Sequence, residues 1–239
     1  MVFIHATGVR IPVGTPILNP PSEAGFLVPS NNGSIDGYLN WQTPISCIAT
    51  IDEKSQFWGM YGMVNQAIEQ MVCETHGEEA WEKIKEMAGI DVDVFISNEG
   101  YPDDYTYRLV AAASELSQTP AEEILEAFGE HWVLRTALEG YGDLMHAGGN
   151  NLKDFLVNLP NFHTRVVMIY PKLQPPSFDV SDVTENSLLL HYRTHRDGLA
   201  HFVVGLVKGL GKMFETPATI TQRDSRAAGA DHDVFVVTW

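Results

Sequence analysis

Asn151-Leu-Lys-Asp-Phe-Leu-Val-Asn-Leu-Pro160-Asn-Phe-His163-Thr-Arg-Val166 is the stretch on which the reading of this chain turns. At helical spacing Leu152, Phe155, Leu156, Leu159, Phe162 and Val166 form one apolar stripe, and His163 lies inside it. An imidazole turned toward a core either hydrogen-bonds a carbonyl or serves as a ligand, and the helix alone leaves both readings open. Asn151 and Asp154 have the spacing of a capping box at its start. Pro160 removes an amide donor and crowds the carbonyl of Leu156, so a kink or restart is expected there.

A second stretch, Leu188-Leu-Leu-His-Tyr192-Arg-Thr194-His-Arg196, has the period of a strand. Leu188, Leu190, Tyr192, Thr194 and Arg196 share one face, with Leu189, His191, Arg193 and His195 on the other. The core-seeking face thus ends in a phenol, a hydroxyl and a guanidinium. Three donors two residues apart can converge on an anion, and a carboxylate suits the arginine fork best, so a bound dicarboxylate fits this face.

Outward from these two stretches, further local patterns align: Met60-Tyr61-Gly62, Tyr105-Thr-Tyr-Arg-Leu-Val110, Phe128-Gly-Glu-His-Trp132, Pro175-Pro176 and Asp231-His-Asp-Val-Phe235. Together they make residues 60–239 resemble the haem nitric oxide/oxygen binding family (H-NOX), the sensor domain of soluble guanylate cyclase and of free-standing bacterial proteins. Threonine here replaces the serine of the family's Tyr-x-Ser-x-Arg signature and keeps its hydroxyl. The resemblance implies a b-type haem ligated by His163, with its propionates held by Tyr192, Thr194 and Arg196. It also implies that Pro176 presses on the porphyrin and that Tyr61, Trp132 and Phe202 line the cofactor site.

Composition narrows the alternatives. The 15 basic and 31 acidic side chains give a net charge of -16, which repels nucleic acid and anionic membrane surfaces. Two cysteines, Cys47 and Cys73, build neither a disulfide framework nor a zinc site. No signal-like segment opens the chain and no apolar run approaches a membrane span, so a soluble, cytoplasmic protein is expected.

Residues 1–59 hold six of the 13 prolines but only six charged residues, with no sustained helical period. They are expected to be an extension without a core of its own, ahead of a domain over 60–239. From Met60 onward helices are expected around Val64 to Val72 with a stop at Gly77, around Trp81 to Ala88, and from Tyr105 to Leu116. Thr119-Pro120-Ala-Glu122 suggests a capping box opening the next helix. Strands are expected over 177–183, 188–196, 218–221 and 234–239, with a helix over 199–214. Helices first and strands later indicate an α+β fold, a helical N-terminal half and a C-terminal half with a four-stranded antiparallel sheet, the haem lying between them.

In the 199–214 helix, Leu199, Phe202, Val203, Leu206, Val207, Leu210 and Phe214 make the buried stripe, and His201, Gly205, Lys208 and Lys212 fall opposite. By resemblance Phe202 stands where oxygen-binding members carry a tyrosine, and Trp132 matches a distal aromatic of cyanobacterial members. His191 and His195 are about 13 Å apart on a strand, too far for one metal. Asp231-His-Asp reads as a solvated turn, and no nucleophile stands beside a base. The expectation is a nitric oxide sensor, also binding carbon monoxide, that signals to a separate histidine kinase or diguanylate cyclase and is not an enzyme. An oxygen sensor of the same family, a haem enzyme such as a peroxidase, and an apo-protein adaptor are the alternatives.

Overall fold

A short strand, Gly59–Tyr61 (β1), leads directly into helix Gly62–His76 (α1). The computed structural model describes residues 59–170 and 173–239, so the extension expected over 1–59 lies outside the described residues except for Gly59. β1 pairs antiparallel with Gly100–Pro102 (β2), which lies beyond helix Glu78–Ala88 (α2) and opens helix Asp103–Ser117 (α3). With Ala121–His131 (α4), these helices close on a core that includes Ile68, Trp81, Phe95, Leu109 and Phe128. α1 ends at the expected stop, Gly77, and α2 ends at Gly89. The capping box at Thr119 does not form: Pro120 itself takes the N-cap position, and no side chain caps α4. Lacking an N–H, proline leaves nothing for a reciprocal bond to satisfy.

α4 does not stop at His131. Residues Trp132–Ala137 continue it as a π-helical turn, joined to helix Leu138–His146 (α5), and neither element is expected from the sequence. Helix Leu152–Ile169 (α6) is capped as expected. Asn151 Oδ1 accepts from the Asp154 amide at 2.8 Å, and Asn151 Nδ2 donates to Asp154 Oδ2 at 2.8 Å. The helix does not restart at Pro160: α6 runs through it. Leu156 and Leu159, buried in the turn that leads into it, outweigh a penalty of about 3 kcal/mol for an interior proline.

The C-terminal part is a four-stranded antiparallel sheet in the order β3-β4-β6-β5, made of Ser177–Ser181 (β3), Ser187–Arg193 (β4), Thr219–Asp224 (β5) and Asp233–Thr238 (β6). Its inner face carries Phe178, Leu188, Leu190, Tyr192, Phe235 and Val237, all buried with Phe155 and Leu156 of α6 in a second core. β4 is shorter than expected and ends at Arg193, so Thr194 and Arg196 belong to the turn beyond it. Asp233 is buried, accepting from Gln222 Nε2 and the Arg226 amide, both at 2.9 Å. The solvated turn expected over 231–233 is therefore wrong at its last residue.

Helix Ala200–Met213 (α7) packs along α4. Its supposed outer side is not free: a Cβ on Gly205 would run into the carbonyl of Glu126, and one on Gly129 into that of Phe202. Two facing glycines let the helix backbones touch. His201 and Lys208 then reach Glu126, at 3.1 and 2.5 Å, and Lys212 reaches Glu130. Burial raises the Glu126 carboxyl, but the bonds from Lys208 and His201 outweigh it and leave its pKa below the usual range.

Candidate functional site

The two cores meet at a cavity of about 280 Å³, close to the lower end of the range for small-molecule sites. α6 supplies one wall with Phe155, Leu156, Leu159, Phe162 and His163. The His163 ring stacks on Phe178, centroids 5.4 Å apart and planes within 10°. Its Nδ1 is buried and meets no hydrogen-bond partner at full geometry. Burial lowers its pKa to about 4, although the Leu159 carbonyl one turn earlier pulls the other way. His163 is therefore a neutral imidazole in an apolar wall, the form in which a ring nitrogen can ligate a metal.

The expected polar end is present but differently wired. Tyr192, Thr194 and Arg196 all line the cavity, with Pro175 and Pro176 beside them. Tyr192 is 3% exposed, and burial pushes its hydroxyl up to about 12. Thr194 Oγ1 accepts from the Arg196 amide at 3.1 Å, fixing the turn after β4. The Arg196 fork already holds a carboxylate of this chain: Nε donates to Asp103 Oδ2 at 2.8 Å and Nη2 to Asp103 Oδ1 at 3.3 Å, while Nη1 reaches the Gln174 carbonyl at 3.2 Å. Arg226 holds the turn from behind, donating to the carbonyls of Thr194 and Arg196 and to Asp197.

The remaining wall comes from β1, α4, the π turn and α7. Tyr61 is buried, and Trp132 and Phe202 line the cavity around Phe128, whose ring centroid is 4.9 Å from that of Phe202 and 6.3 Å from that of Trp132. All eight residues singled out in the sequence, namely His163, Tyr192, Thr194, Arg196, Pro176, Phe202, Trp132 and Tyr61, thus border one space. Two features of the site carry no sequence signal: Asp103, and the phenol pair in which the Tyr141 and Tyr170 hydroxyls share a short hydrogen bond. Burial and that bond raise the Tyr141 pKa to about 12, and the Tyr61 ring meets Tyr170 edge-on at 5.7 Å. Tyr141 sits at a break in α5, with φ -142° and ψ 29°, which no local pattern in the sequence announces.

Comparison with known proteins adds three findings. The family model described as haem-NO-binding matches residues 61–222. The soluble guanylate cyclase gcy-32 of Caenorhabditis elegans is 32% identical over 191 residues, covering 74% of this chain and 28% of that protein, and the beta-2 subunit of the rat enzyme is 32% identical over 122 residues, covering 48% and 18%. Among solved structures, an H-NOX protein from S. oneidensis in the Fe(II)NO state superposes with a TM-score of 0.69 at 20% identity, covering 74% of this chain and 98% of that one. An unliganded Fe(II) H-NOX mutant from K. algicida gives 0.67 at 24%, covering 75% and 96%. At such identities the structures support the fold alone. This chain spans between 16% and 28% of the first three cyclases it matches, and the matched part is their sensor domain rather than the cyclase.

Proposed function

The chain belongs to the haem-NO-binding family of haem-based gas sensors, and on that ground we propose that it senses nitric oxide, with carbon monoxide as a second ligand, through a b-type haem bound by His163 alone. The observation that carries this reading is the neutral, buried imidazole of His163 in the apolar wall supplied by α6. When bound, the haem would supply a ferrous iron able to take up a diatomic gas. Phe178, stacked on the imidazole, fixes the plane of the ring, and Leu156 and Leu159 keep water from competing for its lone pair.

Tyr192, Thr194 and Arg196 form the polar end toward which the propionates would point, with Arg196 shared between Asp103 and the cofactor. Pro176, which lines the same cavity, would press on the porphyrin. Trp132, Phe202 and Tyr61 close the rest. Oxygen binding depends on a hydrogen-bond donor more than nitric oxide binding does, and Phe202 offers none, which favours nitric oxide.

α6 is the route by which the message would leave. It carries His163, is continuous through Pro160, and ends in Met168 and Ile169, which are 75% and 54% exposed. The effector would be a separate chain, a histidine kinase or diguanylate cyclase, in the cytoplasm. Among the described residues no helix is long and apolar enough to cross a membrane.

Absorption spectra of the reduced protein under nitrogen, in air and with nitric oxide test the proposal. The spectrum is expected to change with nitric oxide and to be the same in air as under nitrogen. A stable new spectrum in air would replace it with an oxygen sensor.

A further inference from the structure

On the sheet face that alternates away from Phe178, Leu190 and Tyr192, four polar side chains are joined in series. Ser181 Oγ lies 2.8 Å from His191 Nε2, His191 Nδ1 lies 2.9 Å from His232 Nε2, and His232 Nδ1 lies 2.9 Å from Asp231 Oδ2. In the sequence no nucleophile stands beside a base, and that expectation fails here. Ser181 and His191 are ten residues apart and His232 is 41 beyond His191, so the pairing of β3 with β4 and the entry to β6 are needed to bring them together.

The series has a direction. A carboxylate only accepts, so His232 carries its proton on Nδ1 and, when neutral, presents a lone pair at Nε2. His191 must then donate from Nδ1, which leaves its Nε2 as an acceptor, and the Ser181 hydroxyl supplies the proton. Every donor thus meets an acceptor. Burial first, and His232 second, hold His191 below the usual imidazole range, so it is free to take a proton. The charges beside it are already paired: Arg193 with Asp179 at 3.0 Å and Arg223 with Asp224 at 2.8 Å. Ser181 ends β3 and is only half-buried, and the chain turns at Asp182, whose φ is +48°.

A hydroxyl within hydrogen-bond reach of a neutral imidazole, itself oriented by a third group, is the arrangement that activates a serine. We propose that Ser181 is a base-activated nucleophile and a stoichiometric acceptor of acyl groups from activated esters. As Ser181 Oγ bonds to the acyl carbon, its proton passes to His191 Nε2, and the proton on His191 Nδ1 moves to His232 Nε2. The resulting imidazolium lies against the Asp231 carboxylate. The bond from the acyl carbon to the leaving oxygen breaks, and the alcohol departs with its electron pair as an alkoxide or phenoxide. His232 then returns its extra proton to water. No oxidant, reductant or metal is needed, and the uptake is independent of the gas-sensing site.

The test is timed exposure of the haem-loaded full chain to p-nitrophenyl acetate, with acetylation located by peptide mass spectrometry. Ser181 is expected to be acetylated about 100-fold faster than the exposed serines, the lower range of general-base assistance, and to lose that advantage in His191→Gln. Ser181 reacting no faster than its fellow serines would overturn the proposal, a comparison within the parent protein that needs no variant. An unchanged rate in a His191→Gln protein that keeps its haem spectrum would overturn it equally.

Discussion

Arg196 and Asp103, 93 positions apart in the chain, are held together by two parallel hydrogen bonds of 2.8 and 3.3 Å, with side chains only 11% and 22% exposed. The guanidinium that would grip the cofactor is therefore aimed by the first residue of α3. Arg196→Ala is expected to speed haem loss by an amount equivalent to about 1.5 to 3 kcal/mol per charge-assisted contact. Asp103→Ala is expected to cost less, and the double variant less than the sum, because the two residues act as one unit. Haem transfer to an apo-myoglobin acceptor reads the rates, and additive effects would show that Asp103 does not position Arg196.

His163→Gly removes the only imidazole among the described residues of the cavity wall while leaving the apolar surround. The variant is expected to take up haem only when free imidazole is supplied, as followed by absorbance on reconstitution. Full haem content without imidazole would remove His163 from the site.

The linkage of His163 to folding has a defined sign in the haem-free protein. Its pKa is about 4 folded against an ordinary 6.5. The unfolded chain therefore takes up a proton that the folded one refuses as pH falls through this window. Stability is complete above 6.5 and declines toward 4, by roughly 3 kcal/mol in all. Urea midpoints at both ends, compared between the parent and His163→Gln, isolate this share. An equal decline in the two proteins would assign the loss to other groups.

Gly205→Ala would place a methyl against the Glu126 carbonyl, where the α4 and α7 backbones already touch. Such overpacking is expected to destabilise the protein by about 1 to 3 kcal/mol. Because α7 carries Phe202 and Val203 of the cavity, haem retention should fall with it. Thermal unfolding of the holoprotein measures the first effect, and an unchanged midpoint would mean that the helices have slack.

Phe202→Tyr adds a hydroxyl to a ring that borders the cavity. It is expected to slow the loss of oxygen from the reduced protein, measured by flash photolysis in air, since a donor now faces the gas. No change would place the Phe202 para position out of reach of the bound gas.

Much of the site is legible in the sequence because it lies on elements with clean periods. The α6 stripe with His163, its Asn151 cap, and the Leu188–Leu190–Tyr192 face of β4 each come from spacing within one segment. Thr194 and Arg196 keep their direction into the cavity although the ladder stops at Arg193, because Arg226 grips the turn beyond it. The illegible part depends on contacts between distant segments. Asp103 is ordinary in its own surroundings, Gly205 and Gly129 gain meaning only when α4 meets α7, and the Ser181 series needs three strands. Pro160 misleads for the opposite reason, because a local cost is outweighed by burial around it.

The π turn at Trp132–Ala137 works as a one-notch advance in a ratchet. One surplus residue rotates the helix beyond it by roughly 100° relative to an uninterrupted α-helix. Further on, the backbone of Tyr141 itself leaves helical geometry (φ -142°, ψ 29°), and its hydroxyl meets that of Tyr170, the C-cap of α6, so the far end of the histidine-bearing helix is latched by irregularities in another. Deleting a single residue from the π turn would leave α4 and α6 intact and unfasten α5 from α6.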